Sequence, residues 1–291
     1  LNSNLVIPAT LAASCRHDPE RTEWLHRLPG TVAHLAKLWS LKIRTPFDGE
    51  DVSCAWVAPV MRDDGTTAIL KLGMPHFEGE HEIQGLRFWS GDPTVRLVEA
   101  EEESGAMLLE RCEPGTSLRA LTEADQDIVI AALLRRLWRA PSAGHSFRPL
   151  AAMTDYWARE AIDQSASWTD SGLVSEGLNL FKTLSAPQPA DILLATDLHA
   201  GNVLRAQREP WLVIDPKPFV GDPAYDVTQH LFNCSDRLRS EPDRTIRRLA
   251  DLLDLDHQRI RQWTFARAAV QSGTTPNNEN WLELARTLTT Q

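Results

Sequence analysis

The sequence predicts an α+β chain in two lobes: a small antiparallel β lobe carrying one helix (residues 1–112), then a larger, mainly helical lobe (residues 113–291). Three observations lead there. The first part reads as strands and one helix in the order β-β-β-α-β-β, which implies an antiparallel sheet. A turn-rich connector, "EPGTSL" (113–118), follows Cys112, which sets the boundary near Arg111–Pro114. Beyond it nearly every segment has helical character, with two short apolar runs as the exception.

The elements follow in order. A loop and a helix at about Thr22–Ala36, interrupted by the Pro29-Gly30 pair, open the chain. "WSLKIRTPF" (39–47), "VSCAWVAPVM" (52–61) and "TAILKLG" (67–73) read as strands, the last two joined by a hairpin turn at Asp64-Gly65. A helical segment over about 76–90 precedes two more strands, "TVRLVEA" (94–100) and "GAMLLERC" (105–112). After the connector, Thr122-x-x-Asp125 has the form of a capping box for a helix running to about Ala140, where Pro141 stops it. Further helices are expected at 154–168, 172–185, 224–237, 242–254, 256–272 and 277–289. Between the second and third of these lie "LLATDLHAGNVLR" (193–205) and "WLVIDPK" (211–217), two short strand-like runs that each deliver an aspartate.

Composition narrows the function. An apolar content of 42% in 291 residues supports a substantial core. No apolar run approaches the ~18 residues that would span a bilayer, so a cytoplasmic protein without a membrane partner is expected. Cys15, Cys54, Cys112 and Cys234 lie far apart with no C-x-x-C pair, as buried free thiols of a reducing compartment would. A net charge of -10 argues against a nucleic-acid partner, which asks for a basic face. It suits a cationic small molecule, and general acidity accounts for it equally. Ten tryptophans are many, some to line a pocket or all to pack the core. Both a monomer and a homodimer fit.

The chemistry-bearing residues form an ordered set. Lys71 sits inside an apolar strand, where an unpaired ammonium would cost several kcal/mol, so it needs a carboxylate or an anionic ligand. Glu82 falls on one helical stripe with Leu86 and Trp89 and is its natural partner. A structural ion pair and a phosphate-organising pair both account for these two. Asp197-Leu198-x-x-x-Asn202 has the spacing of the catalytic loop of protein kinases, D-L-x-x-x-N, and Asp215 follows at the end of an apolar strand. In that chemistry the first aspartate takes the proton of the attacking hydroxyl. Asn202 and Asp215 supply the few hard oxygen ligands that Mg2+ prefers beside substrate phosphates.

"DLHAGNVL" followed by "VIDPKPFVGDPAYD" resembles the aminoglycoside phosphotransferase family of kinase-like enzymes, from about Trp39 onward. "LLERCEPGTSL" and "WLVIDPKPFVGDPAYD" resemble its branch of streptomycin 6-kinases and hydroxyurea phosphotransferases. The resemblance implies a two-lobed protein-kinase-like fold, with a nucleoside triphosphate (ATP, GTP possible) and Mg2+ as cofactors. It implies Asp197 as base, Asn202 and Asp215 as metal ligands, and Lys71 with Glu82 on the phosphates. Glu110, Cys112 and the adjacent backbone would form the hinge that meets adenine. His199 polarises the loop by hydrogen bonds, touches the phosphate directly, or is a satisfied structural histidine. Asp222 and Asp226 read as anchors of the helix that begins there. Lys217, two residues past Asp215, either balances local carboxylates or points to solvent.

The implied reaction is transfer of the γ-phosphoryl group to a hydroxyl of an antibiotic, an aminoglycoside such as streptomycin foremost. Hydroxyurea, another metabolite, or a catalytically inactive nucleotide-binding protein are the alternatives. For a cationic acceptor the candidates are Asp155, Trp157, Trp263, Glu279 and Trp281, as acids and stacking rings, though each also reads as ordinary surface or core. Two departures stand out. Ala195-Thr196 replaces the family's usual His-Gly before the base, and Asp48-Gly49-Glu50-Asp51-Val52-Ser53 stands where a glycine-rich phosphate loop would be.

Overall fold

The structure, a computed structural model, describes residues 5–49, 52, 54–274 and 279–289. Glu50, Asp51 and Ser53 of the expected phosphate loop lie outside these residues, as do the first two positions of the helix expected at 277–289. The chain divides into two compact units, Leu1–Ser117 with Leu204–Ile214, and Leu118–Val203 with Asp215–Gln291. The division falls after Ser117 rather than Cys112 because the connector is paired with a returning segment. The Gly115 N–H donates to the Arg205 carbonyl at 3.0 Å, the Arg205 N–H to the Thr116 carbonyl at 2.8 Å, and Ser117 bridges Leu204. Leu212 is buried in the core of the first unit beside Ile83 and Leu86. A pairing partner ninety residues away leaves no local signal in the sequence.

The first unit opens with α1 (Ala9–Ser14) and α2 (Pro19–Leu38). Asp18 caps α2, accepting the Glu20 and Arg21 N–H groups, with Pro19 at the first helical position. The helix runs straight through Pro29, where an interruption was expected. Pro29 and Gly30 are exposed, while Leu28, Val32 and Leu35 are buried against the sheet. Tertiary contact on that stripe outweighs the lost backbone bond.

The sheet comprises β1 (Leu41–Ile43), β2 (Ala55–Arg62), β3 (Thr67–Gly73), β4 (Leu97–Glu101) and β5 (Ala106–Glu110), in the order β1-β2-β3-β5-β4. Every pairing is antiparallel. Gly65 takes φ +83° in the β2–β3 turn, as the Asp-Gly pair predicts. Alternation along β3 turns Ala68, Leu70 and Leu72 toward the α2 core, and Ile69 and Lys71 toward α3 (Glu82–Trp89). That two-residue period is what brings Lys71 to the helix carrying Glu82.

The second unit contains α4 (Glu123–Leu137), α5 (Leu150–Asp163) and α6 (Ser171–Leu184). The short strands β6 (Ile192–Leu194), β7 (Val203–Leu204), β8 (Leu212–Val213) and β9 (Phe219–Gly221) come next along the chain, Leu204 of β7 and the whole of β8 belonging to the first unit. Then follow α7 (Pro223–Asn233), α8 (Ser235–Ser240), α9 (Pro242–Leu253), α10 (His257–Thr274) and α11 (Glu279–Thr289). Thr122 caps α4 and accepts the Asp125 N–H, as its spacing predicts. The helix stops at Leu137, short of Ala140, because Trp138 turns extended and Arg139 pairs with Leu193 of β6. α10 is buried on most sides, and α6 crosses it at Gly177, where a Cβ would lie 2.8 Å from that of Ala269.

Candidate active site

β6 and β9 pair antiparallel, and the chain leaving β6 forms a loop whose backbone is gripped by one buried carboxylate. Asp226, on the first turn of α7, accepts the Ala195 N–H (3.0 Å), the Thr196 N–H (2.6 Å) and the Trp138 indole N–H (3.0 Å). Complete burial pushes the Asp226 carboxyl up to about 6, against the pull of these donors and of the Arg267 charge. Thr196 occupies the left-handed region at φ +48°, which for a non-glycine residue costs roughly 1–3 kcal/mol. Its hydroxyl donates to the Lys217 carbonyl at 2.6 Å, and the Lys217 N–H donates to the Ala195 carbonyl at 2.9 Å. These bonds hold the turn with Ala-Thr in place of His-Gly. Asp222 is the α7 cap, and Asp226 is the brace of the loop.

The loop presents Asp197 with both carboxylate oxygens engaged. Oδ1 accepts the Gln229 amide at 2.8 Å, and Oδ2 accepts Lys217 Nζ at 3.0 Å. Lys217 Nζ also reaches Asp215 Oδ2 at 3.1 Å, so a buried ammonium stands between the two aspartates. Of the two readings open to it, Lys217 takes the charge-balancing one. Asn202 donates through Nδ2 to the Asp197 carbonyl at 2.9 Å, which turns its amide oxygen the other way. His199 accepts the Gly201 N–H on Nδ1 at 3.0 Å and so caps the turn Ala200–Asn202 that carries the asparagine. Asn202, held on Asp197, and the partly exposed Asp215, held on Lys217, thus carry one neutral and one anionic oxygen donor, the hard kind that Mg2+ prefers.

In the first unit, Lys71 Nζ meets both Glu82 oxygens, at 2.6 and 2.7 Å, with both residues buried. The Glu110 carboxylate is occupied by Arg208 (2.8–3.3 Å) and the Arg96 N–H (3.0 Å). Although burial opposes it, those donors hold Glu110 below the usual carboxylate range. The Glu110 side chain is thus engaged by Arg208 and the Arg96 backbone. The half-buried Cys112 thiol is pushed up to about 11 by burial, which makes it an inert thiol. All four cysteines are free, and Cys54 is exposed rather than buried.

The acceptor candidates separate. In the second unit Trp157 and Trp281 line one cavity of about 390 Å³, together with Glu160, Gln229, Phe232 and Arg267. Asp155 and Glu279 are exposed and do not line it. Trp263 is fully buried with its indole N–H on Asp222 at 2.8 Å, so it packs the core of the helices instead of offering a stacking face.

Residues 44–278 match the family described as aminoglycoside/hydroxyurea antibiotic resistance kinase. The chain belongs to this family. It is a phosphotransferase. It is 37% identical over 278 residues to a streptomycin 6-kinase of Streptomyces griseus, covering 91% of this chain and 89% of the relative. To a hydroxyurea phosphotransferase of Kitasatospora aureofaciens it is 37% identical over 250 residues, covering 84% and 72%. Among solved structures, the choline kinase LicA of Streptococcus pneumoniae superposes with a TM-score of 0.60 at 13% identity, over 91% of this chain and all of that one, and shows the shared fold.

Gln229, Arg267 and Glu160, which line the cavity of the second unit, were not among the residues the sequence pointed to. The signal within reach was helical spacing. Gln229 follows Asp226 by three residues, so both project from neighbouring positions of α7.

Proposed function

We propose that this kinase transfers the γ-phosphoryl group of ATP, with GTP as the alternative donor, to a hydroxyl of an aminoglycoside, streptomycin foremost. The observation that carries the reading is the cluster of Asp197, Asn202, Asp215 and Lys217, four groups suited to general-base and phosphate chemistry at the ends of short strands. Asp197 takes the proton of the acceptor hydroxyl as its oxygen bonds to the γ-phosphorus and the bond to the departing nucleoside diphosphate breaks. Asn202 and Asp215 would hold Mg2+, which neutralises phosphate charge when bound. In the first unit, the Lys71–Glu82 pair is assigned to the phosphates and the main chain at 110–112 to adenine. His199 serves by capping the Asn202 turn.

The acceptor is assigned to the aromatic cavity of the second unit, where Trp157 and Trp281 supply faces and Glu160 a carboxylate for a cationic group. The streptomycin 6-kinase and hydroxyurea phosphotransferase relatives support an antibiotic or hydroxyurea-like acceptor, and the greater coverage of the streptomycin 6-kinase favours the aminoglycoside. Among the described residues no helix is long and apolar enough to cross a membrane, and the free thiols are compatible with the cytoplasm, where the donor nucleotide is found. The test is nucleotide turnover with Mg·ATP and Mg·GTP against streptomycin, other aminoglycosides and hydroxyurea. Streptomycin-dependent turnover is expected, lost in Asp197→Ala with nucleotide binding retained. Near-normal turnover in that variant would remove Asp197 from the role of base.

A further inference from the structure

We infer that Gln229 is a positioning residue for Asp197, and that Arg267 in turn sets Gln229, so that the wall of the aromatic cavity and the candidate base form one hydrogen-bonded unit. The inference rests on the phosphotransfer reading above. It starts from four hydrogen bonds. Arg267 Nη2 donates to Gln229 Oε1 at 2.8 Å, and Gln229 Nε2 donates to Asp197 Oδ1 at 2.8 Å. Arg267 Nη1 donates to the Thr228 hydroxyl at 2.6 Å, and that hydroxyl donates to the Tyr225 carbonyl at 2.6 Å.

The chemistry of the three side chains fixes the order. A guanidinium only donates and a carboxylate only accepts, so the group between them must accept at one end and donate at the other. A primary amide does this in a single orientation. Gln229 therefore cannot flip without facing Arg267 with N–H groups and Asp197 with a lone pair. Arg267 is itself held, its guanidinium lying over the rings of Trp157 (5.3 Å), Tyr225 (4.9 Å) and Phe232 (4.9 Å). A planar cation fastened on three rings and two oxygens is a rigid support for one amide. Gln229 and Arg267 also line the cavity beside Trp157 and Trp281. An acceptor seated there would lie against the same amide that aims Asp197, so seating and base orientation are coupled.

Gln229→Met, Arg267→Met and the double variant test this with streptomycin and Mg·ATP. Gln229→Met is expected to lower kcat about 10- to 100-fold, the scale of losing one orienting contact, with the nucleotide KM changed less than about threefold. Arg267→Met should lower kcat at least about fivefold by releasing the amide, and Arg267→Lys should follow it, since an ammonium cannot serve both oxygens as the fork does. The double variant should be within about threefold of the worse single, because both act through one amide. Gln229→Glu, nearly isosteric, keeps the Arg267 contact but sets a carboxylate against Asp197, and should fall below Gln229→Met.

A kcat within twofold of wild type in Gln229→Met, additive losses in the double variant, or a nucleotide KM rising in step with the loss would each overturn the inference. If wild type shows no turnover with any acceptor, the acceptor assignment fails by itself. A crystal structure of Gln229→Met then decides: Asp197 is expected to leave its wild-type rotamer, and finding it unmoved sinks the positioning role.

Discussion

Thr196 and Asp226 show how one residue can keep a loop that its local sequence disfavours. The left-handed turn at Thr196 is tolerated because two N–H groups of the loop close on a single buried carboxylate. Asp226 titrates higher in the folded protein, rising from 3.8 to about 6 through burial. A raised folded value means its contribution to stability is present in full below about pH 4 and is lost as pH climbs through about 6, roughly 3 kcal/mol in all. Thermal melts between pH 7.5 and 5 should therefore show wild type gaining stability from this group as pH falls. Asp226→Asn, which cannot titrate, should lack that gain. Lys217→Met tests the neighbouring charge balance, since it leaves Asp197 and Asp215 without the ammonium between them. Turnover should fall about 100-fold or more, with Lys217→Arg recovering part of it in steady-state kinetics.

At the scale of elements, capping and ion pairs decide where helices start and which way they face. Asp222 is the plainest case. It caps α7 through the Ala224 N–H, and its other oxygen accepts from Arg259 (2.6 Å) and the Trp263 indole (2.8 Å) of α10. Asp222→Ala should cost about 2–4 kcal/mol, the sum of a lost cap and buried donors left without an acceptor, read as a lower urea midpoint at unchanged slope. Elements with a local cause were legible: the Thr122–Asp125 cap, the Asp64-Gly65 hairpin, and Glu82 on the apolar stripe of α3. Elements decided at long range were not. α2 continues through Pro29 because Leu28, Val32 and Leu35 are buried, and α4 ends early because Arg139 pairs with Leu193.

Across the second unit, one buried carboxylate ties four helices together. Asp127 of α4 is fully buried and accepts Arg237 of α8 in a bidentate pair at 2.7 Å, Arg248 of α9 at 2.7 Å and His230 of α7 at 2.9 Å. Burial alone would raise its pKa, yet the donors hold it far below the usual carboxylate range. A depressed folded value means the stabilisation is present above the unfolded value of 3.8 and is lost as pH falls below it. Acid titration of the fold by circular dichroism should show a loss of stability setting in below about pH 4. Asp127→Asn should be destabilised by about 3–5 kcal/mol at pH 7, with a shallower acid limb.

The sequence by itself determined the residues proposed for the chemistry and their order: a strand lysine, a helix glutamate, D-L-x-x-x-N, then a strand-end aspartate. Those follow from short spacings and from periods of 2 and 3.6, which are properties of the local backbone. The tertiary structure alone decided what surrounds Asp197. Lys217, Asp226 and Gln229 reach the loop from 20, 30 and 32 residues away, and Glu110 turns to Arg208 from 98. Contacts at such separations have no period to read, because they are chosen by whichever packing leaves the fewest buried polar groups unpaired.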